Sequence, residues 1–177
     1  MSLGNIVLIG FMGVGKGRTA RAIAKATGRY ALDCDDLIES YANKRIRKIF
    51  KDDGEQSFRM LEQKTAEWLQ DHAREAVIST GGGFIGVPNI RKLGTLVYLH
   101  SDFEAIIASI KAHPNARKKI KKRPLLQDMT AAQALYEKRL PMYRTLADLE
   151  VTVTDRQIDS IAEEVVNRIG HLKAVTP

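Results

Sequence analysis

Short apolar runs alternate with longer amphipathic stretches along most of this chain. Several runs are continuous in Val, Ile and Leu rather than alternating with polar residues, which is typical of strands covered on both faces. The pattern therefore predicts an α/β domain in which helices connect parallel strands. The predicted strands lie at Ile6 to Ile9, Tyr30 to Leu32, Ala76 to Ser79, Thr95 to His100 and Leu149 to Val153.

The longer stretches have the apolar spacing of helices. The chain shows no internal repeat and no linker rich in Pro, Gly or Ser, so we expect a single domain over residues 1–177. The predicted helices lie at about Lys16 to Thr27, Asp36 to Asn43, Glu55 to Asp71, Phe103 to Lys111, Ala131 to Arg139 and Ile158 to Leu172.

Composition narrows the classes of protein to consider. The 177 residues are 44% hydrophobic and 28% charged, an ordinary globular mixture. No run approaches the length of about 18 consecutive apolar residues that a membrane helix needs, so we expect no membrane partner. The single cysteine, Cys34, cannot form an intrachain disulfide, which agrees with a reducing compartment, and we expect a cytoplasmic protein. We also expect a monomer, because the sequence has no stripe of spare apolar residues.

The net charge of +7 indicates an anionic partner, either a nucleic acid or a phosphorylated small molecule. Much of the excess lies in ARKKIKKR, residues 116–123. A solvated or mobile surface loop is the alternative interpretation of such a run. No aromatic residue within it offers a stacking platform for bases, and no motif that reads RNA or DNA occurs elsewhere. We therefore expect no nucleic-acid partner.

The strongest candidate site is the segment Gly10 to Lys16, which lies between the first predicted strand and the first predicted helix. It matches the phosphate-loop pattern G-x-x-x-x-G-K. Its glycines let backbone N–H groups turn toward phosphate oxygens at the positive end of the helix, and Lys16 can reach the β- and γ-phosphates. A plain glycine-rich turn is the alternative, and the strand–loop–helix context argues against it.

Two carboxylates follow the second predicted strand in LDCDD, Leu32 to Asp36. Strand alternation predicts that Asp33 and Asp35 point to the same side, toward the phosphate loop, with Cys34 opposite as a packed residue. One carboxylate could hold Mg²⁺ through water while the other orients or deprotonates an acceptor hydroxyl. The alternative is that Asp35 or Asp36 only caps the following helix.

Three glycines follow the third predicted strand in VISTGGG, Val77 to Gly83. Glycines directly after a buried strand allow a backbone to approach a ligand that any side chain would block. Upstream, Arg59 and Glu62 stand at helical spacing and are expected to pair, with an exposed surface ion pair as the alternative. Arg123 and Arg139, each close to a proline, are candidates for bidentate contacts with anions.

Taken together, six motifs resemble those of shikimate kinases, a family of small P-loop kinases built like the nucleoside monophosphate kinases. They cover nearly the whole chain in the family's order and approximate spacing: GFMGVGK, LDCDDLIE, DGEQSFRMLE, STGGG, KKRPLL and EKRLPMYR. The resemblance implies a three-layer α/β sandwich whose five-stranded parallel sheet has the order 2-3-1-4-5. It also implies ATP and Mg²⁺ as co-substrates and phosphate transfer to the 3-hydroxyl of shikimate.

On the acceptor side, the resemblance implies a substrate-binding helical segment at about residues 34–62. Asp35 would be a catalytic residue that holds the acceptor hydroxyls. Arg59 and Arg139 would grip the carboxylate of shikimate, and the backbone of Gly82 would contact the substrate.

On the nucleotide side, the resemblance implies a basic lid at about residues 113–128, in which the catalytic Arg123 closes over ATP. A cationic lid neutralises phosphoryl charge in the transition state and excludes water. Lys16 would also be catalytic, and Asp33 would hold Mg²⁺ through water. Arg156 is a further candidate for the adenine side. The ATP-binding set implied is Gly13, Val14, Gly15, Lys16, Gly17, Arg18, Arg123 and Gln157.

The sequence departs from the family at Gly17, where the motif normally has Ser or Thr as a ligand of Mg²⁺, and at Arg18. Water could fill the missing ligand position, and we expect weaker Mg²⁺ binding and slower turnover. Three hypotheses follow: a shikimate kinase with an adapted metal site, a protein that binds nucleotide or shikimate with little phosphoryl transfer, or a kinase for another small hydroxy acid.

Overall fold

The computed structural model describes residues 4–117 and 124–175, and in these residues a single sheet has five parallel strands. Neighbouring strands follow the order β2-β3-β1-β4-β5. This confirms the predicted α/β fold and its strand order. The strands are β1 (Ile6–Ile9), β2 (Ala31–Asp33), β3 (Val77–Ser79), β4 (Thr95–His100) and β5 (Leu149–Thr152).

The α-helices connect these strands and flank the sheet. In the described residues, none of them is both long enough and apolar enough to span a bilayer. Their bounds are α1 (Lys16–Thr27), α2 (Cys34–Ala42), α3 (Ile46–Asp52), α4 (Gly54–His72), α5 (Phe103–Ala112), α6 (Met129–Leu146) and α7 (Ile158–Val175).

The sheet lies between two apolar cores and is therefore the middle layer of three. Val7 and Ile9 of β1 belong to the core that α4, α5 and α6 cover, whereas Ile6 and Leu8 belong to the core beneath α1 and α7. All four side chains are fully buried. A central strand covered on both faces needs apolar residues at every position, which explains the continuous run in the sequence.

A third, smaller core holds α2, α3 and α4 together at one side of the sheet. It consists of Ile38, Ile49 and Phe58, one residue from each helix. The sequence analysis did not predict α3, because its seven residues are mostly charged and show too little apolar periodicity. Burial of Ile49 against the neighbouring helices stabilises it instead.

The predicted end of α6 is wrong. This helix continues past Arg139 and Pro141 to Leu146. Proline usually ends a helix because it lacks an N–H and its ring crowds the preceding turn. Here Tyr143, two residues later, is fully buried in the larger core, and this packing offsets the cost of the proline.

The predicted strand geometry around Asp33 is also wrong. β2 ends at Asp33 and α2 begins at Cys34, so the two aspartates do not alternate along one strand. Asp33 is the cap of α2: its Oδ1 accepts hydrogen bonds from the backbone N–H groups of Asp35 at 3.0 Å and Asp36 at 3.4 Å. Capping therefore does occur here, but Asp33 provides it rather than Asp35 or Asp36. Cys34 is fully buried as a packed residue.

Candidate active site

The phosphate loop connects β1 to α1 at the carboxyl edge of the sheet. Gly13 and Gly15 have φ angles of 85° and 101°, which other residues rarely adopt. A Cβ on Gly13 would also lie only 2.6 Å from Cδ1 of Ile110. Lys16 is buried, and its ammonium donates to the carbonyl oxygens of Gly10 at 2.7 Å and Phe11 at 3.0 Å. The loop thus has the backbone geometry of an anion cradle.

A cleft of about 700 Å³ opens beside this loop, between α5 and the segment that follows β5. Arg18 and Gln157 line it, together with Gly13, Val14 and Gly15. The cleft therefore brings most of the predicted ATP-binding residues onto one surface. Its volume is in the range that small-molecule ligands and cofactors occupy in proteins.

Arg156 also lines the cleft, but its guanidinium is held by the protein. Its Nη1 donates to Glu164 at 2.5 Å and to the carbonyl oxygen of Thr152 at 3.0 Å. Gln157, the next residue, has no side-chain hydrogen bond within the described part of the chain. Of this pair, Gln157 is therefore the better candidate for a contact with a ligand.

Gly17 lies beside the carboxylate of Asp33. A Cβ at this position would lie 3.5 Å from Oδ2 of Asp33 and 3.8 Å from Oγ of Ser79, which are ordinary contact distances. Oδ1 of Asp33 caps α2, whereas Oδ2 faces Gly17 in the first turn of α1. Nη1 of Arg21 would also lie 3.7 Å away, so a Cβ at position 17 fits without a clash and crowding does not explain the glycine.

Asp35 is the strongly perturbed carboxyl group of the site. Burial and the neighbouring charge of Asp33 raise its pKa to about 6, and the ammonium of Lys16 opposes this rise. Such a group is ionised at neutral pH but accepts a proton more readily than an ordinary aspartate. It therefore has the properties of a general base beside a phosphate-binding loop.

Arg59 and Glu62 form the predicted pair, and it is not an exposed surface ion pair. Nη1 of Arg59 lies 2.6 Å from Oε2 of Glu62, while Nη2 lies 2.9 Å from Oε1 of Glu55. Glu62 is only 1% exposed, and burial raises its pKa although the guanidinium lowers it. This buried carboxylate fixes the direction in which Arg59 points.

Charged side chains approach all three glycines that follow β3. A Cβ on Gly81 would lie 3.0 Å from Oδ1 of Asp35, and one on Gly82 would lie 3.4 Å from Nη1 of Arg139. On Gly83, a Cβ would collide with Nη1 of Arg59 and lie 3.1 Å from Nη2 of Arg139.

Two guanidinium groups and two carboxylates, those of Asp35 and Glu62, therefore converge on the backbone of this turn, and Glu62 is already paired with Arg59. Paired guanidiniums suit a carboxylate or phosphate, and a nearby carboxylate suits a hydroxyl group. The arrangement is able to bind a small hydroxy acid at the edge of the sheet that also holds the phosphate loop.

The sequence profile of the family described as "Shikimate kinase" matches residues 12–170. The chain belongs to the shikimate kinase family. A shikimate kinase of Helicobacter hepaticus is 39% identical over 140 residues, covering 79% of this chain and 81% of that protein. One of Caldanaerobacter subterraneus is 36% identical over 176 residues, covering 96% and 98%.

Solved structures of shikimate kinases have the same fold. The Acinetobacter baumannii shikimate kinase in complex with shikimate superimposes with a TM-score of 0.85 at 30% identity, over 99% of this chain and 97% of that one. The Aquifex aeolicus enzyme gives a TM-score of 0.78 at 26% identity, over 98% and 99%.

One site residue of this shikimate kinase family member was missed in the sequence analysis. The fully buried Tyr143 donates a 2.7 Å hydrogen bond to the carbonyl oxygen of Gly82 and stacks on Tyr98, with ring centroids 5.1 Å apart. Burial raises the pKa of Tyr143 to about 12, so its hydroxyl remains a donor. The only signal in the sequence was its position four residues after Arg139, beyond a proline.

The structure describes the predicted lid at residues 113–117 and 124–128. Arg123 lies outside the described residues, together with the rest of residues 118–123.

Proposed function

We propose that this protein is an ATP-dependent shikimate kinase, which transfers the γ-phosphoryl group of ATP to the 3-hydroxyl of shikimate. The observation that carries the proposal is the convergence of Asp35, Arg59 and Arg139 on the backbone of Gly81 to Gly83. It supplies one carboxylate for a hydroxyl and two guanidiniums for a carboxylate, next to a phosphate loop. Family membership and the shikimate complex of the Acinetobacter baumannii relative support the same acceptor.

In this proposal, Arg59 and Arg139 bind the carboxylate of shikimate, and the backbone of Gly82 contacts its ring. Asp35 hydrogen-bonds the acceptor hydroxyl and takes its proton as the oxygen attacks the γ-phosphorus. Its raised pKa of about 6 favours this transfer near neutral pH. Phosphoryl transfer depends mainly on positioning and charge stabilisation, which these contacts would supply.

On the nucleotide side, the N–H groups of Gly13 to Gly15 would hold phosphate oxygens. Lys16 would exchange its bonds to the loop carbonyls for the β- and γ-phosphates and stabilise the charge that develops there. Arg18 and Gln157, which line the adjacent cleft, are the proposed side-chain contacts to the nucleotide. Arg123 is proposed as the arginine of a lid at about residues 113–128.

The residues of the site fit a magnesium ion that is held mainly by ATP and water. Within the described residues, no group of three or more His, Cys, Asp and Glu side chains could hold a metal by itself. Oδ2 of Asp33 faces Gly17 in the first turn of α1, and we propose that it anchors the ion through water. Bound there, Mg²⁺ would neutralise phosphate charge and orient the γ-phosphoryl group.

The proposed partners are ATP and shikimate, with no nucleic acid and no membrane. Location in the cytoplasm and a monomeric state are parts of the proposal that remain predictions. Light scattering of the purified protein at several concentrations would test the monomer.

The decisive test is the rate of shikimate-dependent ADP formation from Mg–ATP, measured for the wild type and for Gly17→Ser across a magnesium titration. We expect wild-type turnover that requires more magnesium than the variant does. Turnover by the variant alone would favour a binding protein. If neither protein turns over shikimate although both bind ATP, a panel of other hydroxy acids would test for a different acceptor.

A further inference from the structure

Arg18 is an arginine on the wall of the nucleotide cleft that is exposed and has no ion-pair partner within the described residues. It lies in the first turn of α1, which contains no acidic residue. Its Nη2 would be 3.8 Å from a Cβ on Gly15, so the guanidinium folds back over the phosphate loop. Asp155 lines the same cleft but forms no ion pair with Arg18.

Arg18 stands directly after the position that lacks a hydroxyl. Gly17 offers no side-chain oxygen to a cation, whereas the next residue adds a full positive charge beside the same loop. Backbone N–H groups donate hydrogen bonds to the oxygens of a diphosphate but carry no net charge. A guanidinium and a divalent cation both neutralise the negative charge of these oxygens. The chain therefore lacks the hydroxyl of the phosphate-loop motif at position 17 and carries a permanent cation at position 18.

We propose that Arg18 binds the diphosphate of the nucleotide directly, so that nucleoside diphosphates and triphosphates bind this protein with little dependence on Mg²⁺. This inference rests on the proposed function in one respect, the assignment of the cleft to the nucleotide. The guanidinium donates bidentate hydrogen bonds to phosphate oxygens at the N-terminal end of α1. Magnesium then remains important for the transfer step but contributes little to nucleotide affinity.

The test is calorimetric titration of ADP into the purified protein, once with excess Mg²⁺ and once with a chelator. The two wild-type Kd values should agree within about threefold. Arg18→Thr should weaken metal-free binding by about tenfold or more, the usual effect of losing a charge-assisted contact. The metal-free Kd of Arg18→Lys should lie between the values for the wild type and Arg18→Thr, because lysine keeps the charge without the bidentate geometry.

Lys25→Thr is the matched control. It removes the same charge from an exposed position in the last turn of α1, and it should leave the Kd within about twofold. A melting curve for each variant shows that it is folded. Gly17→Ser should improve ADP affinity with Mg²⁺ present but not with the chelator, because it restores only a metal ligand.

Equal metal-free Kd values for the wild type and folded Arg18→Thr would overturn the proposal. A large dependence of wild-type ADP binding on Mg²⁺ would also overturn it. These titrations contain no acceptor, so they test the role of Arg18 even if the protein does not phosphorylate shikimate. Conversely, a negative result in these titrations would not contradict the proposed phosphorylation of shikimate.

Discussion

The acceptor side and the nucleotide side of this site are built in different ways. On the acceptor side, polar side chains are held by short contacts to the protein, such as the 2.6 Å pair of Arg59 and Glu62 and the 2.7 Å hydrogen bond from Tyr143 to Gly82. On the nucleotide side, Arg18 is exposed, and a Cβ on Gly17 would meet its neighbours only at ordinary contact distances. Contacts within the protein hold the first region in place, whereas the arginine of the second is exposed.

This difference indicates which substitutions each region tolerates. Backbone N–H groups make most of the phosphate contacts in a phosphate loop, so the loss of one side chain changes the metal site without removing the anion cradle. Acceptor recognition depends instead on side chains that crowd Gly81, Gly82 and Gly83. A substitution among these side chains or glycines should therefore reduce activity far more than the presence of glycine at position 17 does.

The largest effect should come from Asp35→Asn. The amide keeps the shape of the carboxylate but cannot take a proton, so we expect kcat to fall by about 10²-fold to 10⁴-fold. The Kd for ADP should remain within about twofold, because Asp35 is assigned to the acceptor side. Rapid-quench assays and calorimetry would measure the two quantities. A kcat within tenfold of the wild type would remove Asp35 from its catalytic role.

The same carboxyl group should control the pH dependence. Its pKa is raised from 3.8 to about 6 in the folded protein, so protonation is favoured by folding and ionisation is disfavoured. Its contribution to stability is therefore present at low pH and is lost as the pH rises through about 6. Shikimate-dependent kcat/KM should fall below about pH 6, because the base becomes protonated.

Asp35→Asn should consequently stabilise the protein at pH 7.5 while it destroys activity. A shift of about two pKa units corresponds to at most about 3 kcal/mol, or several degrees in Tm. This gain should shrink as the pH falls from 6 toward 4, where the wild-type carboxyl is itself protonated. A Tm difference that is independent of pH would show that Asp35 is not desolvated.

The next largest effect should come from Gly83→Ala. Its methyl group would displace the guanidiniums of Arg59 and Arg139, both of which are flexible side-chain ends, so the protein should still fold. We expect KM for shikimate to rise by about tenfold to 100-fold with little change in the Kd for ADP. Gly86→Ala is the matched control, because a Cβ there meets nothing within 4 Å. Equal KM values for the two variants would argue against a crowded acceptor side.

A smaller effect is expected for Tyr143→Phe. It removes the hydrogen bond to the carbonyl oxygen of Gly82 but keeps the buried ring, so KM for shikimate should rise by about threefold to tenfold. Tyr136→Phe is the control, because the Tyr136 hydroxyl donates to the carbonyl oxygen of Ser101 on the nucleotide side. An unchanged KM together with a lower kcat would assign Tyr143 to the transfer step instead.

The sequence predicted the fold well where local pattern and tertiary packing agree. α1 begins at Lys16 and ends at Thr27 as expected, because the phosphate-loop motif marks its start and Gly28 provides a left-handed C-cap. β1 and β4 also have the predicted bounds, because both are continuous apolar runs in the centre of the sheet.

The errors arose where tertiary contacts override local signals. α6 continues past Pro141 because Tyr143 packs in the core, and the charged segment of α3 is helical because Ile49 is buried. Likewise, the sequence indicated that three glycines were needed after β3, but only the structure identifies the side chain that crowds each one. The pairing of Arg59 with Glu62 was predictable from spacing, whereas the burial of Glu62 was not.

The most direct test of this account is calorimetric titration of shikimate into protein that is free of nucleotide and magnesium. An acceptor side held in place by contacts within the protein predicts one-to-one binding, with the same Kd for the wild type and Gly17→Ser and a much weaker Kd for Gly83→Ala. Binding that appears only after nucleotide is added would contradict the account, because the acceptor residues would then need the nucleotide to come together.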